Sequence, residues 1–199
     1  MTVFCGAAPA PAAYLRAAAA TGRLLAEHDI HVVYGGGRLG LMGALADAAL
    51  DAGGHVTGVI PRLLHTPEIA HDGLTALQIV PDMATRKARL IDAADAVLAL
   101  PGGLGTLDEL AYLWASTALG TRARPVGLLN TGGYYTPLLD FVRSAAASGF
   151  LAHHDHLRLD DLLLADDDPA RLLSTVAART HPPTPEAARR SPATPPRTR

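Results

Sequence analysis

Short apolar runs alternate with longer segments of helical periodicity along most of the chain, and each kind predicts an element. Residues 2–6, 30–34, 55–60, 76–80, 96–100 and 126–129 read as strands. Residues 9–28, 39–52, 83–93, 106–119, 135–147 and 169–178 read as helices. The first helix has a candidate buried stripe of Tyr14, Leu15, Ala18, Leu24 and Leu25. Pro61 is expected to stop the third strand, and residues 62–73 are polar enough to be irregular or only partly helical. Residues 157–159 suggest a short edge strand ahead of the last helix.

Strands that alternate with helices predict βαβ units and a parallel sheet. The run Ala96-Val97-Leu98-Ala99-Leu100 has no polar position, as a strand covered by helices on both faces requires. The fold class is therefore α/β, a doubly wound parallel sheet in a single domain over residues 1–180. From His181 onward the chain changes to Pro, Thr, Arg and Ala with almost no large apolar side chain. Such a segment buries too little surface to offset its ordering entropy, so residues 181–199 are expected to be a disordered tail.

Composition narrows the function classes. A chain of 199 residues is long enough for one substantial core and short for two. It is 49% apolar and 18% charged, with a net charge of −2, which leaves no basic footprint for nucleic acid or an anionic membrane. The single cysteine, Cys5, cannot form an internal disulfide and reads as a small buried hydrophobe of the first strand. The alanine-rich start lacks a basic leader and is interrupted by Tyr14, Arg16 and Arg23. No run approaches the ~18 apolar residues of a membrane span. A cytoplasmic location is the expectation. Lys87 is the only lysine among seventeen basic residues.

Two glycine clusters carry the chemistry. In an open parallel sheet, ligands bind outside the carboxyl ends of the strands, where both clusters fall. Gly35, Gly36 and Gly37 follow the second strand and open a helix, a place where backbone N–H groups approach an anion. With Gly40 they satisfy G-x-G-x-x-G, but the next strand ends Val59-Ile60-Pro61-Arg62 without the carboxylate that holds a dinucleotide ribose. A Walker loop is excluded, since neither cluster is followed by Lys-Ser or Lys-Thr. Pro101-Gly102-Gly103-Leu104-Gly105-Thr106 is the more specific cluster, bringing three glycines, a hydroxyl and a helix start together as a phosphate cradle.

Asp108 and Glu109 follow in what is expected to be the first helical turn. Adjacent helix residues point about 100° apart, so these two cannot face each other across a glycoside. Glu109 is the better candidate to face a ligand. Arg86, Lys87 and Arg89 form a basic cluster on the preceding helix, which is expected to end near the glycine loop. Glu68 and His71 lie in the polar connection after the third strand, but two ligands do not make a metal site. His153, His154 and His156 are read as an exposed loop.

These residues together resemble the LOG-type cytokinin riboside 5′-monophosphate phosphoribohydrolases, long described as lysine decarboxylases. The resemblance runs from about Val3 to Leu164. Pro101-Gly102-Gly103-Leu104-Gly105-Thr106-Leu107-Asp108-Glu109 matches the family's PGGxGTxxE, and Arg86-Lys87 its second motif. Val3-Phe4-Cys5-Gly6, Tyr34-Gly35-Gly36-Gly37, Gly40-Leu41-Met42-Gly43, Gly58-Val59-Ile60-Pro61 and Gly127-Leu128-Leu129-Asn130 match in order. The resemblance implies a Rossmann-like fold and a homodimer with the site near its interface. It implies hydrolysis of a purine nucleoside 5′-monophosphate to free base and ribose 5-phosphate, with no metal or cofactor. By position it makes Arg86 and Glu109 the catalytic pair. Glu68, Lys87, Gly103, Leu104, Gly105, Thr106, Leu107 and Asp108 would join them in contacting the nucleotide.

The chain departs from the family at Ala84-Thr85, where a His and an acidic or amide residue are usual. It departs again at Ala115-Ser116-Thr117-Ala118-Leu119-Gly120, with Trp114 displaced upstream. Two other readings stay open: a non-catalytic nucleotide or molybdenum-cofactor carrier, and a decarboxylase with pyridoxal phosphate on Lys87. Leu107, Leu110 and Trp114 form a helical stripe expected to serve a dimer in part.

Overall fold

The computed structural model describes residues 1–121, 124–151 and 158–180. The expected tail, the three histidines from His153 to His156, and Leu157 lie outside the described residues.

Strands β1 (Thr2–Phe4), β2 (Val32–Tyr34), β3 (Val56–Pro61), β4 (Ala76–Val80), β5 (Val97–Ala99), β6 (Val126–Leu129) and β7 (Ala165–Asp166) form one sheet. Their spatial order is β4-β3-β2-β1-β5-β6-β7, and every pairing is parallel. The order reverses between β1 and β5, so the crevice expected of a doubly wound sheet opens outside the carboxyl ends of those two strands.

Helices α1 (Ala12–Glu27), α2 (Gly40–Asp51) and α7 (Pro169–Thr180) cover one face, and α3 (Met83–Asp92), α4 (Leu104–Ala118) and α5 (Thr136–Ala147) the other. The short α6 (Leu159–Leu162) precedes β7. Strand alternation divides the core. Val3, Cys5, Tyr34, Leu98 and Leu100 pack toward α1, α2 and α7, while Phe4, Val33, Val97, Ala99 and Leu128 pack toward α3, α4 and α5. The alanine richness of α1 and α2 has a packing reason. At Gly22 of α1 a side chain would run into the backbone carbonyl of Leu45, so the two helices touch backbone to backbone.

Four expectations are corrected. Pro61 does not stop β3 but is its last residue, paired with Val80; the missing N–H is tolerated at a strand end. The edge strand is Ala165–Asp166, because Leu159 begins a helix whose first turn carries Asp160 and Asp161. Helix α4 starts at Leu104, two residues earlier than its apolar pattern suggested. Asp108 and Glu109 therefore sit in its second turn, and no acidic residue occupies the first. Finally, α3 begins rather than ends at the carboxyl edge: a crossover helix runs antiparallel to its strands, so Arg86, in the first turn, is the residue delivered to the crevice.

Candidate active site

Three strand ends meet at the crevice. Beyond β1, Gly6 donates its N–H to the Pro101 carbonyl at 3.1 Å, which ties the end of β1 to the glycine loop that follows β5. The Gly6 carbonyl accepts from Leu41 and Met42, at 3.0 and 3.3 Å, so the opening N–H groups of α2 are already satisfied. Helix α4 differs. Its N-cap is Gly103, no side chain caps it, and added Cβ atoms at Gly103 and Gly105 would meet nothing within 4 Å. Helical position costs Gly105 about 1 kcal/mol relative to Ala, and no internal packing explains that cost. The N-terminus of α4 is thus left open and uncapped at the crevice, with the geometry an anion requires.

The first glycine loop has another role. At Gly35 a side chain would collide with the Arg86 guanidinium, so this glycine makes room for the arginine. Gly36 has φ +77°, a left-handed conformation that favours glycine. Gly37 bridges to Ala70, with Arg38 N–H on Ile69 O at 2.9 Å and His71 N–H on Gly36 O at 3.0 Å. That bridge brings the Glu68 segment to the rim. Glu68 itself is exposed, and the Thr66 hydroxyl holds its carboxyl below the usual range. His71 is not a ligand: Nδ1 accepts from Gly73 N–H and Nε2 donates to Asp47, both at 3.0 Å. Among the described residues no group of three or more His, Cys, Asp or Glu is placed to hold a metal ion.

Arg86 and Glu109 meet at the floor of the crevice. The Asp82 carboxylate caps α3 by accepting the Thr85 N–H at 2.7 Å and so fixes where Arg86 emerges. Nη2 of Arg86 lies 3.8 Å from Oε1 of Glu109, with each side chain 8% exposed. At that distance the two attract without a hydrogen bond, and the Arg86 Nε has no hydrogen-bond partner among the described residues. Burial raises the Glu109 carboxyl to about 7; Arg86 opposes the rise and Asp108 adds to it. The Cys5 thiol lies close enough to feel both charges, and its own burial pushes its pKa up, so it is an inert part of the floor.

The family model for possible lysine decarboxylases matches residues 42–175. A cytokinin riboside 5′-monophosphate phosphoribohydrolase of Rhodococcoides fascians is 48% identical over 153 residues, covering 76% of this chain and 77% of its own. The rice (Oryza sativa subsp. japonica) enzyme of that name, LOG, is 44% identical over 151 residues, 75% of this chain and 62% of its own. This chain belongs to the cytokinin riboside 5′-monophosphate phosphoribohydrolase family. Among solved structures, the molybdenum cofactor binding protein of Rippkaea orientalis superposes with TM-score 0.66 at 19% identity, covering 90% of this chain and 96% of its own. That likeness is one of fold.

The phosphoribohydrolase motifs thus converge, but their residues divide in role. Of the basic cluster, Arg86 is buried, Arg89 is exposed, and Lys87 is bound by both oxygens of Asp108 at 2.9 and 2.7 Å, 4.8 Å above the Tyr112 ring. The only lysine is therefore paired with Asp108 on the α3–α4 surface. Leu104 is 85% exposed at the mouth, Thr106 is buried against Gly102, and Leu107 is exposed. The expected stripe splits, because Leu110 is a core residue, whereas Trp114 lines an apolar groove of about 810 Å³ between α4 and α5. Ala115, Ala118 and Leu119 line that groove too, so the second departure from the family falls there. Sequence reasoning missed Tyr134 and Tyr135, whose hydroxyls reach the glycine loop; a Tyr-Tyr pair directly after Gly132-Gly133 was the available signal.

Proposed function

We propose that this chain hydrolyses the N-glycosidic bond of a purine nucleoside 5′-monophosphate, with an N6-modified adenine as base, to free base and ribose 5-phosphate. The buried Arg86–Glu109 pair beside an uncapped, glycine-opened helix start carries this reading. The 5′-phosphate sits on the α4 N-terminus, where Gly103 and Gly105 allow close approach, and Glu68 and Lys87 border the nucleotide from the rim. Glu109, ionised, takes a proton from water as its oxygen bonds to C1′. The C1′–N bond breaks, its electron pair leaves with the base, and the proton that Glu109 took from water is returned to that base. The carboxylate also stabilises the cationic sugar of the oxocarbenium-like transition state. Arg86 holds the negative charge of the nucleotide in a site where burial strengthens such contacts. Exposed Leu104 and Met83, the first residues of α4 and α3, support an apolar substituent on the base.

The active unit in this reading is a homodimer. The groove beside α4 exposes Phe141 and Phe150, and the buried Trp114 indole N–H has no acceptor among the described residues. A second copy laid along α4 would cover the groove close to Glu109. Light scattering that gives a monomer mass at micromolar concentration would count against it. The compartment proposed is the cytoplasm, since the buried, unpaired Cys5 needs no oxidising environment; no helix among the described residues is long and apolar enough to cross a membrane.

The test is release of base and ribose 5-phosphate from AMP and from N6-isopentenyl-AMP, wild type against Glu109→Ala. Release that vanishes in the variant is expected. A folded wild type that binds AMP and releases nothing from either nucleotide overturns hydrolysis in favour of a carrier.

A further inference from the structure

The turn after β6 reaches back over the glycine loop. The Asn130 carbonyl accepts from Gly133 N–H at 2.9 Å, and Thr131 O from Tyr134 N–H at 3.2 Å. The Asn130 side chain accepts from Tyr135 N–H at 2.6 Å and donates to the Thr136 hydroxyl at 3.2 Å. Gly132 and Gly133 supply the φ values of +60° and +77° that the reversal needs. Two tyrosine rings are thereby presented in succession. Tyr135 is buried and donates its hydroxyl to Leu100 O at 2.6 Å; Tyr134 is partly exposed and donates to Gly102 O.

Four consecutive carbonyls are consequently engaged. Leu100 is held by Tyr135, Pro101 by Gly6 N–H, Gly102 by Tyr134, and Gly103 by the first intrahelical bond from Leu107. In a trans peptide the N–H points opposite the C=O, so holding the Pro101 and Gly102 carbonyls turns the Gly102 and Gly103 N–H groups the other way, whereas the Leu100 carbonyl shares its peptide with Pro101, which has no N–H. The Gly102–Gly103 peptide is the vulnerable unit, because flanking glycines make its rotation cheap. Turned over, it would aim a carbonyl oxygen at a bound phosphate and withdraw the Gly103 N–H. The Tyr134 hydroxyl opposes that turn, and its ring is held edge-on by Tyr14 at 5.7 Å and Tyr135 at 5.1 Å.

We infer that Tyr134 is a positioning residue, whose hydroxyl holds the Gly102 carbonyl away from the crevice and so sets the Gly103 N–H for the phosphate of the nucleotide. The inference rests on the proposed function for its ligand. Tyr134→Phe tests it, since the ring contacts survive and only the O–H is lost. Losing one neutral hydrogen bond predicts ~5–10-fold weaker binding of ribose 5-phosphate and a KM raised by the same factor. The value of kcat, the affinity for free adenine and the unfolding midpoint should stay near wild type, a split that general loosening of the fold would not give. Calorimetric titration with ribose 5-phosphate reads the effect. A wild type that binds it, with Tyr134→Phe binding equally well, overturns the clamp alone. A wild type that binds neither ribose 5-phosphate nor AMP overturns the proposed function and the clamp with it.

Discussion

Glu109→Gln should make the protein less active and, above neutral pH, more stable. Burial lifts the Glu109 carboxyl from 4.5 to about 7. Below pH 4.5 the group is protonated whether the chain is folded or not, and contributes nothing. Between 4.5 and 7 the unfolded chain releases the proton while the folded protein retains it, so rising pH favours unfolding. At 1.36 kcal/mol per pKa unit, the penalty reaches about 3 kcal/mol once the pH passes 7. Glutamine has the same shape and no charge. At low pH both proteins lack a charged partner for Arg86, so subtracting their stabilities isolates the ionisation of Glu109. Urea unfolding of both proteins in steps from pH 4.5 to 8.5 should show the variant gaining about 3 kcal/mol relative to wild type, with all other titrations cancelling. In the same samples kcat should fall by ~10²–10³, the cost of one electrostatic group. A stability difference flat to within ~0.5 kcal/mol, a typical scatter for independent surface changes, would refute the burial argument and return Glu109 to an ordinary carboxylate.

With Glu109 acting ionised, kcat/KM should rise about tenfold per unit below pH ~7 and level off above it; a pH–rate profile that instead falls through 7 would reassign Glu109 as the proton donor. Gly105→Ala should stabilise α4 by about 0.5–1 kcal/mol, because no atom lies within 4 Å of the new methyl. It should also weaken ribose 5-phosphate binding, and thermal melts paired with titration check both signs. Gly35→Ala should displace the Arg86 guanidinium and lower kcat much as Arg86→Ala does, which steady-state kinetics on the two variants side by side would reveal.

The sheet was legible because its strands are short and mostly apolar, and β4 and β6 begin and end where their patterns do. Boundaries failed where glycine erased the pattern: Leu104-Gly105 looks like loop, yet the backbone is already helical there. Arg86 and Glu109 could be named from spacing and family motif, but their mutual distance, the missing partner of Nε and the lifted carboxyl are products of packing. His71 shows the same limit from the other side. Beside Glu68 it suggested a ligand, and only the fold brings Asp47 to its ring. The Tyr134-Tyr135 pair after Gly132-Gly133 was a visible signal, but the backbone carbonyls that its hydroxyls reach carry none.

Gly6 and Gly102 constrain each other in a way that reaches beyond geometry. A Cβ on Gly6 would lie 3.1 Å from the Gly102 Cα, and a Cβ on Gly102 would lie 2.9 Å from the Gly6 nitrogen. A side chain at Gly6 would need the Gly102 backbone to give by a few tenths of an ångström, and one at Gly102 would strike the Thr106 side chain as well as the Gly6 nitrogen. In a random mutagenesis library selected for activity, substitutions should therefore be depleted at both codons, and more strongly at Gly102 than at Gly6. The crevice thus couples its two glycines across the sheet, so that variation is tolerated more readily at its rim than at its floor.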